Sequence, residues 1–369
     1  MKSISVQAPG PRALLCCMAL CVGFAARAEA APQEIRIENL VDGETVDYQL
    51  LLIRGSVAAN GGDQVVVSLG SARTSWPIVH KRFKALVMLQ RGRNDIQLSV
   101  DGGPIRWLNV TYQPRRAGPF VRMVYVIAAD SDGSFQAPPG ESCDMACAQE
   151  RIALAGLMLQ TATAELMYEA GYGRKTFRLL RDVVGDVETV IHRSDLSMSE
   201  AHQMTGLQIW RKLYHQLNQH GDVGRTMAIM QMTRYDAGAD KAYAHTALGG
   251  GSLALFGSGG LHAWPQTVAD IPGCFTDQRH MSDYGLLDDS AFRKTFWANF
   301  ATGLGACLHE LGHAFGLNHS GDKECIMERG FDRINRLFML TENGTAFASE
   351  RIRWAPESAR LLNESPWLN

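Results

Sequence analysis

The sequence predicts an all-β N-terminal module followed by a larger α+β domain with a mixed sheet. The chain has 369 residues, of which 46% are hydrophobic and 20% charged, a globular composition with ample material for a core. Short β-rich runs separated by turn residues fill the first third, and strands alternate with helical patterns after residue 120. The formal net charge of −2 provides no basic field for an anionic partner, so we predict no nucleic-acid binding.

Residues 1–30 have the features of a secretory signal peptide. A positively charged start precedes the apolar run "ALLCCMALCVGFAA", and Ala28 and Ala30 form a small-x-small cleavage site, which places the cut after Ala30. The alternative is a membrane anchor, but the run is shorter than the ~20 residues that a spanning helix needs. We therefore expect a secreted protein, extracellular or periplasmic, without stable membrane insertion.

Residues 33–115 are predicted to form a β-sandwich. The runs "YQLLLIRGSV", "QVVVSLG", "NDIQLSV" and "IRWLNVTY" are rich in strand-forming residues, and "VDGET", "NGGD" and "RGRN" supply turns. This spacing fits an immunoglobulin-like module of two packed sheets. The segment "QPRRAGP", residues 113–119, is predicted to be a linker.

Residues 120–369 are predicted to form the second domain, a mixed α/β layer structure. The near-continuous apolar run "FVRMVYVIA" suits a strand covered on both faces. Helical spacing of apolar residues follows over 145–170 and 199–219, and a long helix is predicted over 289–316. One further helix is expected near "FASERIRWA", residues 347–355.

The segment "HELGHAFGLNH" carries the chemistry of the chain. His309 and His313 are four residues apart, so they share one face of a helix and can reach one metal ion. Gly316 can adopt a left-handed conformation that ends the helix, and His319 can then approach as a third ligand. Three histidines hold zinc and leave a fourth position open for water, as in catalytic zinc sites.

Glu310 lies next to His309 and would stand beside that water. Zinc lowers the pKa of bound water, and a carboxylate at this position can accept its proton as a general base. The spacing H-E-x-x-H-x-x-G-x-x-H fixes five positions and is far more specific than H-E-x-x-H alone. The alternative is a helix that carries incidental histidines.

This segment resembles the zinc signature of the metzincin metallopeptidases. Their conserved methionine turn matches Met327, in "ECIMERG", eight residues after His319. The pair His319–Ser320 resembles the matrixin form of the motif. Together with a strand-rich N-terminal module, the motif also resembles a poorly characterised group of metallopeptidases known from fungi.

The resemblance implies a metzincin-like catalytic domain with a twisted mixed sheet, long helices and a small C-terminal subdomain. Substrate would lie extended along the edge strand of the sheet. The candidate edge strand, with an interior strand as the alternative, contains Ser252, Leu253, Ala254 and Leu255. Residues 331–338, after Met327, would form part of the side-chain specificity pocket.

The cysteines leave their pairing open. Five remain after signal cleavage, namely Cys143, Cys147, Cys274, Cys307 and Cys325. A Cys143–Cys147 bridge and free buried thiols are both compatible with the spacing.

Several further polar residues are assigned no catalytic role. "DSDGS", residues 130–134, resembles part of a calcium loop but lacks the distal glutamate, so an ordinary turn is favoured and calcium is unsupported. His245, His262 and His280 are interpreted as surface or structural histidines.

The sequence therefore predicts a secreted zinc-dependent endopeptidase that acts on proteins or peptides. In this interpretation His309, His313 and His319 bind zinc and Glu310 is the general base. Two alternatives remain: a secreted binding or adhesion protein with a structural zinc site, and a zinc amidase that acts on a non-protein amide.

Overall fold

The computed structural model describes residues 35–58, 62–100, 103–218 and 224–369. The predicted signal peptide lies outside these ranges and stays a prediction. Residues 32–369 form one compact unit. Among the described residues, no helix combines the length and the apolar character needed to cross a membrane.

Eight N-terminal strands form one continuous hydrogen-bonded path, in the order β1-β3-β6-β5-β4-β7-β8-β2. All neighbours are antiparallel except β2 and β8. Residues 72–77 of β5 pair with β4, whereas residues 78–79 pair with β6, so β5 joins the two halves of the path. The strands are β1 (Ile35–Ile37), β2 (Glu44–Val46), β3 (Leu50–Val57), β4 (Gln64–Leu69), β5 (Ala72–Val79), β6 (Arg82–Met88), β7 (Gly92–Val100) and β8 (Arg106–Tyr112). The all-β character of this region matches the prediction, and the immunoglobulin-like arrangement stays a prediction.

A second, six-stranded sheet follows, in the order β10-β9-β12-β16-β15, with β11 also paired to β9. The strands are β9 (Phe120–Ile127), β10 (Arg178–Leu179), β11 (Thr189–Arg193), β12 (Gly224–Met230), β15 (Ala247–Gly250) and β16 (Leu253–Gly257). Only β15 runs antiparallel to its neighbour in this sheet as described. Two short hairpins complete the described strands: β13 (Arg234–Asp236) with β14 (Lys241–Tyr243), and β17 (Thr341–Glu342) with β18 (Thr345–Ala346).

Helices pack on both faces of this sheet. The α-helices of the described residues are α1 (Met145–Glu169), α2 (Met198–Gln203), α3 (Gly206–Leu217), α4 (Ile271–Cys274), α5 (Phe296–Ala314), α6 (Asn335–Phe338) and α7 (Pro356–Glu364). Met123 and Tyr125 of β9 belong to the core that contains α1 and α5, while Val124 and Val126 belong to a second core with α3. Burial of both faces explains the near-continuous apolar sequence of β9 and confirms the mixed α/β layers.

The assignment of the edge strand was wrong. Leu253, Ala254 and Leu255 lie in β16, which pairs with β12 on one side and β15 on the other, and Ser252 lies in the turn before it. Every residue of β16 is buried, as expected for an interior strand. The end of the described sheet is β15, whose short, glycine-rich sequence gave little strand signal.

Two predicted helix positions also differ from the structure. The helix that carries the histidine motif begins at Phe296, because residues 291–294 form an irregular turn instead of the first helical turns. The C-terminal helix is α7, which begins after the predicted segment 347–355, with Pro356 in its first turn. Proline favours this position because its missing N–H has no partner within the helix.

The N-terminal strands share a core with α1, and a buried ion pair reinforces the contact. Glu165 of α1 is 0% exposed and accepts hydrogen bonds from Tyr48 Oη (2.9 Å), Arg174 Nε (2.8 Å) and Asn39 Nδ2 (3.3 Å). A buried carboxylate is tolerated only when its oxygens are paired in this way.

Lys84 of β6 connects the N-terminal strands to the C-terminal part of the chain. Its ammonium group donates to the carbonyls of Arg336 and Met339 and lies 2.7 Å from a carboxylate oxygen of Glu350. Burial lowers the pKa of Lys84 to about 8, although Glu350 opposes the shift. The N-terminal strands therefore hold the segments that follow the histidine motif.

We predict that Glu165→Ala destabilises the protein by about 3–5 kcal/mol, because it leaves buried Arg174, Tyr48 and Asn39 without their shared acceptor. Glu169→Ala is the matched control, since Glu169 lies one turn further along α1 and its side chain is 37% exposed in an ion pair with Arg54. It should cost less than about 1 kcal/mol. Urea unfolding of both variants measures the difference, and equal losses would contradict the role given to Glu165.

Candidate metal centre

The motif helix ends where the sequence predicts a turn. Gly316 has φ 92°, a left-handed conformation that residues with a Cβ rarely adopt. The Leu317 N–H donates to the Gly312 carbonyl (3.0 Å), so the chain closes the last helical turn before it reverses direction. The reversal returns His319 to the side of the helix that carries His309 and His313.

The three histidines of the motif converge on one point. Nε2 of His313 lies 3.1 Å from Nε2 of His309 and 3.1 Å from Nε2 of His319. One ligand atom from each residue lies within 4.8 Å of the other two. His309 is buried, His313 is half-buried and His319 is exposed, so the cluster opens to solvent on the His319 side. No other group of three metal-binding side chains occurs among the described residues.

Backbone carbonyls fix the protonation of two of these rings. Nδ1 of His309 lies 2.7 Å from the Ile326 carbonyl, and Nδ1 of His313 lies 2.8 Å from the Leu317 carbonyl. A carbonyl only accepts, so both Nδ1 atoms carry the hydrogen and both Nε2 atoms of the neutral rings present lone pairs. Such carbonyl partners orient metal-binding histidines in known sites.

This arrangement fits a bound cation. Two lone pairs that face each other at 3.1 Å repel unless a positive charge lies between them. Tetrahedral zinc with Zn–N bonds of about 2.0–2.1 Å separates neighbouring nitrogens by about 3.3 Å. The observed separations are close to that value, so the donor set suits zinc without a large rearrangement.

Burial keeps the imidazoles of His309 and His313 in their neutral form. It lowers the pKa of His309 to about 4, against the raising effect of the Ile326 carbonyl, and the neighbouring histidines lower it further. Burial likewise lowers the pKa of His313. Neutral imidazole is the form that binds metal, so the site is prepared for a cation at neutral pH.

Glu310 is buried beside this cluster, with 8% of its surface exposed. Burial raises the pKa of its carboxyl group to about 7, and a hydrogen bond from the Gly249 backbone N–H acts in the opposite direction. Glu310 and His309 line the same cavity. The structure therefore places one buried carboxyl group beside the three histidines.

Met327 lies in a turn under the motif helix, and its assignment as a metzincin-type methionine stays a prediction. Ile326 and Met327 occupy the centre of a turn closed by the Glu328 N–H and the Cys325 carbonyl (3.0 Å). A Cβ on Gly312 would lie 2.4 Å from the Met327 sulfur, so the methionine packs against the helix backbone at that glycine. The same turn supplies the Ile326 carbonyl that orients His309.

The sheet edge β15 packs directly against the motif helix. A Cβ on Gly249 would lie 2.1 Å from the Glu310 carbonyl oxygen, a distance that real atoms do not adopt. A glycine is therefore needed where strand and helix backbones approach most closely. This contact brings the free side of β15 next to the metal cluster.

A cavity of about 350 Å³ adjoins His309 and Glu310. Its lining includes two residues of the predicted pocket segment 331–338, Phe331 and Asp332, and five residues for which the sequence gave no functional signal: His245, Asp288, Asp289, Phe292 and Arg329. Phe331 belongs to the predicted pocket segment, and its ring centroid lies 5.0 Å from that of His309. The five residues without a sequence signal come from separate segments of the chain, so no local spacing connected them. His245 belongs to the wall of this cavity, where its Nε2 lies 3.3 Å from Oδ2 of Asp289.

The remaining candidates lie outside the site. His262 lines a separate cavity of about 480 Å³ that includes none of the three motif histidines. In the "DSDGS" turn, Asp130 and Asp132 accept hydrogen bonds from the Met198 and Ser134 N–H groups, as in an ordinary turn. Cysteines 143, 147, 274, 307 and 325 are free thiols in the structure.

Sequence comparison finds a family that spans most of the chain. The model of a family described as "Putative peptidase family" matches residues 34–357. A "Putative zinc metalloproteinase" of Schizosaccharomyces pombe is 30% identical over 340 residues, which cover 84% of this chain and 54% of that protein. A protein of the same description from Saccharomyces cerevisiae is 25% identical over 351 residues, covering 84% and 50% of the two chains. The chain thus spans about half the length of these relatives.

Comparison of folds finds more distant similarities. OgpA from Akkermansia muciniphila, solved in a catalytically inactive form with an O-glycopeptide substrate, has a TM-score of 0.44 and 17% identity over 69% of this chain and 62% of that chain. Archaemetzincin from Methanopyrus kandleri has a TM-score of 0.32 and 14% identity over 68% and 97%. Two observations support zinc as the metal. Both yeast relatives are described as zinc metalloproteinases, and three imidazole ligands suit zinc.

We predict that Gly249→Ala destabilises the protein by about 1–3 kcal/mol, because the new methyl group must separate β15 from the motif helix. Gly250→Ala is the control, since a Cβ there meets nothing closer than Trp210 Cζ2 at 3.9 Å. Neither glycine has a positive φ, so backbone strain does not separate the two variants. Thermal unfolding compares them, and equal stability would show that the strand–helix contact tolerates a side chain.

Proposed function

Since the chain belongs to the peptidase family that matches residues 34–357, we propose that it is a secreted zinc-dependent endopeptidase. The observation that carries this proposal is the convergence of three imidazole Nε2 atoms beside one buried carboxyl group, Glu310. The metal ligands are His309, His313 and His319. Secretion is supported by the predicted signal peptide.

The open side of the cluster favours a catalytic over a structural metal. Structural zinc sites are closed by four protein ligands, whereas catalytic sites use three and keep one position for water or substrate. Among the described residues only the three histidines form a metal-binding group, and His319 is exposed. A structural site, as in a binding or adhesion protein, would also have no use for the buried carboxyl group of Glu310.

Zinc, when bound, supplies a Lewis acid that polarises the substrate carbonyl and lowers the pKa of water. The residues of this chain then handle the proton. Glu310 accepts a proton from the attacking water and delivers it to the amide nitrogen as the peptide bond breaks, first as general base and then as general acid. His309 and His313 hold their positions through the Ile326 and Leu317 carbonyls.

An extended peptide is the substrate that best fits the neighbourhood of the cluster. The strand β15 uses one side to pair with β16 and ends the described sheet, so its other side can pair with a substrate main chain. Because Gly249 contacts the Glu310 backbone, a peptide on this strand passes close to the cluster. Main-chain pairing with Ala247–Gly250 replaces the earlier assignment of Ser252, Leu253, Ala254 and Leu255.

We predict that Glu310→Ala retains about one zinc per chain but loses peptide hydrolysis by at least about a hundredfold, because it removes the general base and leaves the ligands intact. His313→Ala is the companion variant, and it should lose zinc and activity together. Zinc content by atomic emission and cleavage of a mixed peptide library read by mass spectrometry provide both measurements.

The outcomes separate the candidate functions. Cleavage by the wild type alone establishes a peptidase that uses Glu310. A zinc-loaded Glu310→Ala protein that cleaves as fast as the wild type would refute the mechanism. Zinc binding without cleavage of any peptide would favour a structural metal site or an amidase that acts on a non-protein amide.

A further inference from the structure

Acidic side chains outnumber basic ones in the lining of the cavity beside His309 and Glu310. Four carboxyl groups line it, those of Asp288, Asp289, Glu310 and Asp332, against one guanidinium group, that of Arg329. Arg329 already forms an ion pair with Asp332, with 2.6 Å between Nη2 and Oδ2. The lining therefore holds more negative than positive groups.

Three of these carboxylates each have an oxygen without a hydrogen-bond partner among the described residues. Asp288 uses one oxygen to accept from Ser290, and Asp289 uses one oxygen toward His245 (3.3 Å). Oδ2 of Asp332 contacts Arg329, whereas Oδ1 is buried without a partner. Buried polar atoms are nearly always hydrogen-bonded, so an unpaired acceptor in a cavity wall indicates a donor supplied from outside.

A strained turn presents an aromatic ring at the same cavity. Ala291, Phe292 and Lys294 have φ values of 54°, 66° and 66°, which cost energy in residues with side chains. Phe292 is 94% exposed, so it contributes little to the core of the protein. Strain that persists without a packing gain is typical of functional sites.

Arg293 holds this turn in place. Its guanidinium group donates to the Thr302 hydroxyl (2.7 Å) and to the Asp332 carbonyl (2.6 Å), and its Nε donates to the Ser290 carbonyl (2.8 Å). These bonds anchor the turn to the motif helix and to the segment after Met327. Phe292 is consequently held at the cavity, with Phe331 also in its wall.

We propose that this cavity receives a long basic side chain, lysine or arginine, from one of the two substrate residues that flank the cleaved bond. The aliphatic part of that side chain packs against Phe292 and Phe331, and its charged end donates to Asp288, Asp289 and Asp332. Aromatic faces also attract cations, and carboxylates form their strongest hydrogen bonds with charged donors. This inference rests on the proposed peptidase function and adds a substrate class to it.

An acidic side chain fits the cavity poorly, because it would meet like charges. A neutral apolar side chain would leave the Asp332 acceptor unpaired and would desolvate the neighbouring carboxylates without compensation. The structure thus discriminates among substrates by the charge at the end of the side chain.

A matched peptide set tests the proposal. The peptides differ at a single position, which carries lysine, arginine, leucine or glutamate, and that position is placed on either side of the cleaved bond in two series. For the wild type, kcat/KM should be at least about tenfold higher for a basic than for a leucine peptide in one of the series, and lowest for glutamate. Equal or higher values for leucine in both series would overturn the proposal.

The double variant Asp288→Asn/Asp289→Asn should reduce the lysine-to-leucine ratio of kcat/KM at least about tenfold, because it removes two charges and keeps the side-chain shapes. Asp195→Asn is the matched control, since Asp195 pairs with Lys212 on the surface outside this cavity. It should leave the ratio unchanged. A double variant that keeps the wild-type ratio would overturn the assignment of these two residues.

Peptide affinity separates this proposal from the proposed function. Calorimetry on zinc-loaded Glu310→Ala should show at least about tenfold tighter binding of the lysine peptide than of the leucine peptide. If the lysine peptide binds more tightly but the wild type cleaves no peptide, the basic-side-chain site is supported and the proposed peptidase function is overturned. Cleavage by the wild type without a basic preference, in binding or turnover, would overturn the site alone.

Discussion

The two hydrogen bonds from His309 Nδ1 and His313 Nδ1 to backbone carbonyls are the interactions on which the site depends. Each bond fixes a tautomer and turns an Nε2 lone pair toward the same point. The acceptors come from different places, the reversal after Gly316 and the turn that contains Met327. Three imidazoles can therefore share one cation only when the end of the motif helix, the chain reversal after Gly316 and the turn that contains Met327 have all formed.

The surrounding structure secures these backbone segments at close range. Gly312 lets the Met327 side chain pack against the helix backbone, and glycine is required at 249, where strand and helix backbones meet at the Glu310 carbonyl. The same packing buries Glu310 and raises the pKa of its carboxyl group toward neutrality. Close packing thus determines both the positions of the histidines and the environment of the carboxyl group beside them.

The sequence predicted the parts of the site that are local in the chain. The spacing of His309, Glu310 and His313 needs only a helix, and Gly316 needs only a turn, so periodicity and residue type were sufficient. The edge strand was wrongly assigned to the segment at Leu253, because this segment precedes the motif helix and is bounded by glycines. Its apolar residues indicate burial, which is where the structure places it, between β12 and β15. The glycine-rich β15 packs against the motif helix, and this contact between distant parts of the chain leaves no local sequence pattern.

Contacts between residues far apart in the chain could not be predicted either, because no local sequence pattern records them. The buried Glu165 cluster joins residues more than a hundred positions apart, and the cavity wall combines loops around His245, Asp288 and Phe331. Their positions follow from the packing of the whole chain. The alternation of strands and helices, by contrast, was visible because it repeats at the scale of single elements.

X-ray absorption spectroscopy of the zinc-loaded protein is the direct test of the proposed open zinc site formed by His309, His313 and His319. We expect three imidazole nitrogens and one water oxygen at about 2.0–2.1 Å, with no sulfur ligand. A zinc–sulfur distance of about 2.3 Å, or a fourth protein ligand in place of water, would contradict it.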